Sequence, residues 1–337
     1  MKQFFHLRWN SARRTTCMTL VLLSCVALLP FWSIADAEDK TISSPTLAQS
    51  TEYDSETRTA QNNKSAPVEV QQFAEYQAAA LGTANAESNW KNADLHFYPL
   101  GPGTHSWLVQ ATFEGKPIGY MIITATEQGQ MKLSEYGQGE QSPYNSVLLG
   151  QALNRQHVNL DALLASGGEL HSNYALPLLA YWKLERPNQP ALYIDATNGD
   201  LLPSEFLNRL ESNANQVSAS VTVTDLSTTS PLSVDPLHLR PVFNPADNLL
   251  WITSKPVDAN LAQDVIQHGE NQEIVFSADD RNVVYGGPLP VSGYQLWHTD
   301  QEDGSILYVA LGGKPFIQRF VPLSTLQQDG QFYIVKR

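Results

Sequence analysis

The chain has 337 residues, 21 Lys+Arg against 34 Asp+Glu, a formal net charge of −13 and two cysteines. An acidic chain of this kind repels nucleic acid and anionic lipid surfaces, and its acids are scattered rather than blocked, as on a solvated acidic surface. Both cysteines, Cys17 and Cys25, lie in an N-terminal apolar segment, so the rest of the chain has no disulfide, thiolate metal site or cysteine nucleophile.

Residues 1–37 read as a secretory signal. Lys2, Arg8, Arg13 and Arg14 form a basic region, an 18-residue apolar run covers residues 17–34, and Ala35-Asp36-Ala37 is a small-x-small cleavage site. Cleavage is expected after Ala37. The rival is an uncleaved N-terminal anchor, at the short end of what spans a bilayer. Leu22-Leu23-Ser24-Cys25 matches a lipoprotein box only loosely, because another apolar stretch follows it, and Arg13-Arg14 is a poor twin-arginine signal. Removing residues 1–37 takes away four basic residues and one acid, leaving 17 and 33, a net of about −16.

Residues 38–66 are polar and nearly free of large apolar side chains, the composition of a disordered tether. From Pro67 a helix is expected, with Val70, Phe73, Gln77 and Leu81 on one face and Gly82 as a stop. An antiparallel meander follows. It has strands at residues 96–100, around Trp107, Val109, Ala111 and Phe113 with one well-buried face, at 118–126 and at 131–136. Ser142-Pro143 then offers an N-cap and a first-turn proline for a helix through Tyr144, Leu148 and Leu149 to about Arg155. Strands are expected at residues 178–186 and 191–196, and Asn198-Gly199 turns the chain into Asp200-Leu201-Leu202. Helix followed by antiparallel strands thus occurs twice, without clear residue identity between the halves.

Residues 211–232 look like a linker, with room for one edge strand at 217–224. Leu249-Leu250-Trp251-Ile252 is apolar, and residues 258–268 are helical with Leu261, Val265 and Ile266 expected inward. Short strands at 273–277, 293–299, 306–311, 316–321 and 331–335 suggest a β-rich domain, a barrel or strongly curled sheet. The expected organisation is therefore α+β: a signal at 1–37, a tether at 38–66, an α+β domain at 67–210, a linker at 211–232 and a β-rich domain at 233–337.

The stretch Leu179-Ala180-Tyr181-Trp182-Lys183-Leu184-Glu185, with Ala191-Leu192-Tyr193-Ile194-Asp195-Ala196-Thr197-Asn198-Gly199-Asp200-Leu201-Leu202, resembles the PepSY module. That module occurs in propeptides of thermolysin-type metallopeptidases and in stand-alone secreted bacterial proteins. In this hairpin Asn198 and Gly199 would supply positive φ angles, Asp195 would cap the turn, and Tyr193 and Leu201 would pack onto a helix. Ile118-Gly119-Tyr120-Met121-Ile122-Ile123 and Leu133-Ser134-Glu135-Tyr136 are similar in style to propeptide meanders. The resemblance implies helices packed on antiparallel meander sheets, as PepSY/cystatin-like halves, and a noncatalytic role beside peptidases or in the cell envelope.

No H-E-x-x-H and no G-x-S-x-G occurs. Ser88-Asn89-Trp90-Lys91 fits S-x-x-K, the spacing that lets a lysine activate a serine one helical turn away, but reads as a polar loop. His96, His105, His157, His171, His238, His268 and His298 are spread as ordinary strand or loop histidines, although His96 and His105 could meet across a hairpin. His298-Thr299-Asp300 with Glu302 and Asp303 reads as a charged hairpin turn, and Asp279-Asp280 as a turn before Arg281-Asn282. Trp107, Tyr120, Tyr136, Tyr294 and Trp297 are expected in the core, the alternative being an aromatic groove for glycan or peptide. No catalytic, cofactor or metal residue is assigned.

The first expectation is a secreted, noncatalytic protein that binds and modulates a secreted peptidase or another envelope protein, on a Gram-positive exterior or in a periplasm. No nucleic-acid partner and no membrane span after residue 37 are expected. The alternatives are a structural wall-binding component and a degenerate or unfamiliar secreted hydrolase, the last marked by convergence of His268, Asp279, His298 and Asp300.

Overall fold

The computed structural model describes residues 66–101, 106–125, 129–208, 233–269, 271–298, 304–313 and 317–336. The signal, the tether up to residue 65, the linker at 211–232 with its edge strand, and His105, Asp300, Glu302 and Asp303 lie outside them. The described residues belong to one unit of the chain, Thr51–Arg337.

The architecture is α+β. Helix α1 (Val68–Ala84) buries Val70, Ala74, Gln77, Ala78 and Leu81 on one face, close to the stripe expected. Short 3-10 turns lead to the meander β1 (Asp94–Leu100), β2 (Ser106–Phe113), β3 (Lys116–Ala125) and β4 (Met131–Gln138). Val109, Ala111, Met121, Ile123 and Leu133 pack beneath α1. The other face is buried too, because Leu108, Tyr120 and Ile122 pack into a second core. The single buried face expected of β2 is thus half of the picture, and the meander is a middle layer. Gly119 permits a close approach within it: a Cβ there would lie 2.3 Å from the Trp90 ring and 2.5 Å from the Gly137 carbonyl.

The second core is closed by α2 (Ser146–Arg155), α3 (Leu160–Ala165) and a three-stranded sheet, β5 (Glu169–Leu176), β6 (Leu179–Arg186) and β7 (Gln189–Asp195). The N-cap of α2 is Asn145, not Ser142. Its Oδ1 accepts from the Val147 and Leu148 amides at 2.9 and 3.3 Å. Tyr144 takes φ +64 just before it, a conformation that a first helical turn through Tyr144 cannot contain. Helix α3 and strand β5 have no counterpart among the expected elements.

The later strands are β8 (Ser233–Val234), β9 (His238–Leu239), β10 (Ile274–Ser277), β11 (Leu289–His298), β12 (Ser305–Gly312), β13 (Gln318–Pro322) and β14 (Gln331–Ile334). Helices α4 (Ala259–His268), α5 (Asn282–Tyr285) and α6 (Leu323–Asp329) accompany them. The expected strands are present, but the division at 211–232 is not a division of the sheet. The order β1-β2-β3-β4-β13-β12-β11-β10-β14 is continuous, with Tyr136 of β4 opposite Phe320 of β13 and β8 and β9 beside β11. Tyr136 stacks on Phe320 at 4.7 Å and meets Trp297 and Tyr308 at 5.4 and 5.2 Å, so these aromatics sit in one core with Val109 and Met121. In α4 Val265 and Ile266 face the core as expected, and only Leu261 departs from the reading, with Ala262 taking its place. Ala262 and Ile266 are buried, whereas Leu261 is 57% exposed.

Candidate functional site

The densest polar group in the fold is internal. A β-bulge places two β4 residues, Ser134 and Glu135, against Ile122. Leu133 and Tyr136 therefore both join the core under α1, while the Glu135 carboxylate turns toward the opposite layer. There Arg319 of β13 grips it bidentately, Nε to Oε1 and Nη2 to Oε2, both at 2.7 Å. The third guanidinium contact is Nη1 to the Leu178 carbonyl at 2.7 Å, and the Tyr120 and Tyr174 hydroxyls donate to the carboxylate at 2.7 and 3.1 Å.

Both members of this pair are buried. Burial alone would lower the Arg319 pKa, but the Coulombic field and hydrogen bonds of Glu135 more than offset it and leave the cation raised. Tyr120 and Tyr174 are pushed well above the ordinary phenol value, first by burial and then by the Glu135 charge. These groups hold their protons, and the arrangement clasps β3, β4, β5 and β13 together.

The hairpin that carries the PepSY resemblance lies beside this clasp. β6 pairs with β7 from Tyr181↔Asp195 to Arg186↔Gln189, and Leu202 N–H donates to the Tyr193 carbonyl after the turn. Asp195 Oδ1 accepts from the Thr197 amide and hydroxyl, both at 2.6 Å, so Asp195 does cap the turn. Gly199 alone takes a positive φ, +77; Asn198 does not. Tyr193 packs against Tyr181 at 5.8 Å, and Leu201 is 47% exposed rather than laid on a helix. The turn lies against Gly286, where a Cβ would come 3.1 Å from Asn198 Nδ2. Burial raises the Asp195 pKa above the usual carboxylate range, opposed by its hydrogen bonds to Thr197.

A second charged group lies at the surface of the same small sheet. The β5–β6 register sets Glu169 opposite Glu185 and His171 opposite Lys183. His171 Nε2 is 3.1 Å from Glu169 Oε2, and Lys183 Nζ is 3.1 Å from Glu185 Oε1. Ligand atoms of Glu169, His171 and Glu185 all lie within 4.8 Å of one another, the only such His/Cys/Asp/Glu group among the described residues. Sequence reading passed over it by treating His171 as an ordinary histidine. The alternation Glu-x-His at 169–171, with Lys183 and Glu185 on the next strand, was the available signal.

The other expected residues are dispersed. Ser88 Oγ donates to the Asn85 carbonyl, and Asn89 at φ +57 separates Ser88 and Lys91 into different 3-10 turns, so they do not share a helical turn. His96 meets Thr112, His238 stacks on Tyr294, His268 pairs with Asp264 and His298 with Asp235, while His157 sits at a positive φ of 55. His268 and His298 thus have separate acid partners, and Asp279 opens a 3-10 turn before Arg281. Tyr120, Tyr136 and Trp297 are core residues, Trp107 packs at the edge of the core under α1, and Tyr294 is half-buried against His238. Among the described residues no helix is long and apolar enough to cross a membrane.

No family model matches this chain, and neither characterised proteins nor solved structures yield a match.

Proposed function

We propose that this chain is an extracytoplasmic, noncatalytic binding protein that modulates a secreted peptidase. The observation that carries the reading is the short 3-10 helix Leu249–Thr253, where Leu249, Leu250 and Ile252 are each 57% exposed around a Trp251 that is 6% exposed. Trp251 is the anchor. Its Nε1 donates to the Pro245 carbonyl at 3.0 Å, and its ring lies 5.5 Å from Tyr333 in a small core with Val275 and Val335. Asn248 fixes the start, with Oδ1 accepting from the Leu250 amide and Nδ2 donating to the Lys336 carbonyl.

Three apolar side chains held outward by a buried indole make a preorganised contact surface, since little rotamer and backbone freedom remains to be lost on binding. Exposed Lys255 follows this apolar knuckle in the chain, and the backbone of exposed Lys336 meets Asn248 at its start, which favours a partner face that is apolar with carboxylates around it. A peptidase is the partner class that the resemblance of residues 179–202 suggests. That hairpin itself is committed to two cores through Tyr181, Tyr193, Trp182 and Leu184, so the knuckle is the better contact.

The test is capture from the native culture exterior with the parent protein and with a Leu249→Ser/Leu250→Ser/Ile252→Ser variant, followed by titration of peptidase activity. The parent should retain one secreted peptidase and lower its activity, and the variant should lose both effects. Retention of wall material alone, or equal capture by the variant, overturns the reading.

A further inference from the structure

We propose that Glu169, His171 and Glu185 form a zinc site, and that Lys183 is the resident cation that zinc displaces. The inference is independent of the peptidase reading and starts from the β5–β6 ladder. Cross-strand pairing puts two carboxylates, Glu169 and Glu185, directly opposite each other, a like-charge arrangement that destabilises a sheet unless a cation lies between or beside them. Lys183 lies 3.1 Å from Glu185. The other carboxylate, Glu169, faces the His171 Nε2 at 3.1 Å.

The convergence has the chemistry of a transition-metal site. One imidazole nitrogen and two carboxylates lie within 4.8 Å of one another, and the opposite face of the strands is fixed by buried Trp182 and Leu184. An N,O,O donor set from three side chains suits zinc, completed by water in the fourth position. Calcium prefers six to eight hard oxygen ligands, whereas this group combines carboxylate oxygens with an imidazole nitrogen. The ligand positions come from strand alternation and register rather than from a loop, so they are set once the hairpin forms.

Lys183 makes the site conditional. Its side chain is 22% exposed, and its flexible stem can carry the ammonium into water when a divalent ion takes the carboxylates. The exchange replaces one positive charge with two, coordinated to both acids at once. Lys183 thereby weakens zinc binding, and its removal should strengthen it.

The experiment uses the full chain, stripped of metal and titrated with zinc alone by calorimetry, then with Co²⁺ followed by visible absorption. The parent should bind one zinc at this site and give the intense d–d bands of a four-coordinate ion, undisturbed by excess Ca²⁺. His171→Ala and Glu185→Gln should each weaken binding at least about 10-fold, the scale of losing a metal-site residue. Lys183→Met should tighten it several-fold, a gain that a merely folded variant has no reason to show. Circular dichroism of each variant checks the fold. Absence of zinc binding, unchanged affinity in His171→Ala, or no tightening in Lys183→Met each overturns the site.

Discussion

Two groups of charges on neighbouring strands have opposite fates. Glu135 and Arg319 are sealed between layers, with side chains 0% and 5% exposed, and every direction around the carboxylate is filled by a guanidinium or phenol donor. Glu185 and Lys183 sit at comparable separation on β6, yet their side chains are 48% and 22% exposed. Solvent decides what each pair does. Water reaches the second pair through Glu185 and screens it in part, whereas the first can exist only as a complete set. Geometry that looks alike in a distance therefore means architecture in one place and adaptability in the other.

Breaking the buried set should have the largest effect. Arg319→Met leaves the Glu135 charge without its cation and should cost about 3–5 kcal/mol in denaturant unfolding. The double variant Glu135→Leu/Arg319→Met should recover part of that loss, because it removes the desolvation of both charges but leaves the Tyr120 and Tyr174 hydroxyls and the Leu178 carbonyl without these partners. A double variant as unstable as the single one would show that packing and those orphaned groups, not charge, dominate there.

Asp195 offers an intermediate case, a carboxylate buried without a cation in hydrogen-bond contact. Burial raises its folded pKa above the unfolded value near 3.8. A group raised in this way contributes stability below the unfolded value and loses it as pH rises through the folded one. Asp195→Asn keeps the acceptor for Thr197 and removes the charge. It should therefore gain on the order of 1 kcal/mol over the parent at neutral pH, a difference that vanishes near pH 3 in unfolding curves across pH.

The smallest effect is expected at the surface pair. Lys183→Ala should change stability by less than about 1 kcal/mol, and raised salt should shrink even that, as thermal unfolding at two ionic strengths would reveal. A loss comparable to that of Arg319→Met would erase the distinction between the two pairs.

Local signals carried much of the fold. The stripe Val70, Gln77, Leu81 located α1, the helix expected at 258–268 is α4, and the turn after Asp195 formed where Asn198-Gly199 announced it. What escaped depends on distant partners. Leu261 looked like a core residue by spacing, but the tertiary surface against α4 selects Ala262 and Ile266. β5 mixes Leu170 and Tyr174 with Glu169, His171 and Asn173, because one face packs in the second core while the other reaches water at its end, which weakens the apolar signal. The bulge at Ser134 that turns Glu135 inward is silent in composition, and so is the pairing of Tyr136 with Phe320. The surface group at His171 was within reach of alternation, but only once β5 and β6 were known to be neighbours.

The order of synthesis gives the Glu135–Arg319 contact a further meaning. The two partners are 184 positions apart, and Phe320, which joins the halves of the sheet, follows Arg319 directly. A chain emerging from its N-terminus can build α1 and the first meander early, but it must keep the carboxylate wetted until β13 arrives. Folding should then be slow and nearly all-or-none, completed only when the last strands are delivered. Until that moment the nascent chain is a natural client for whatever guards unfolded proteins in its compartment.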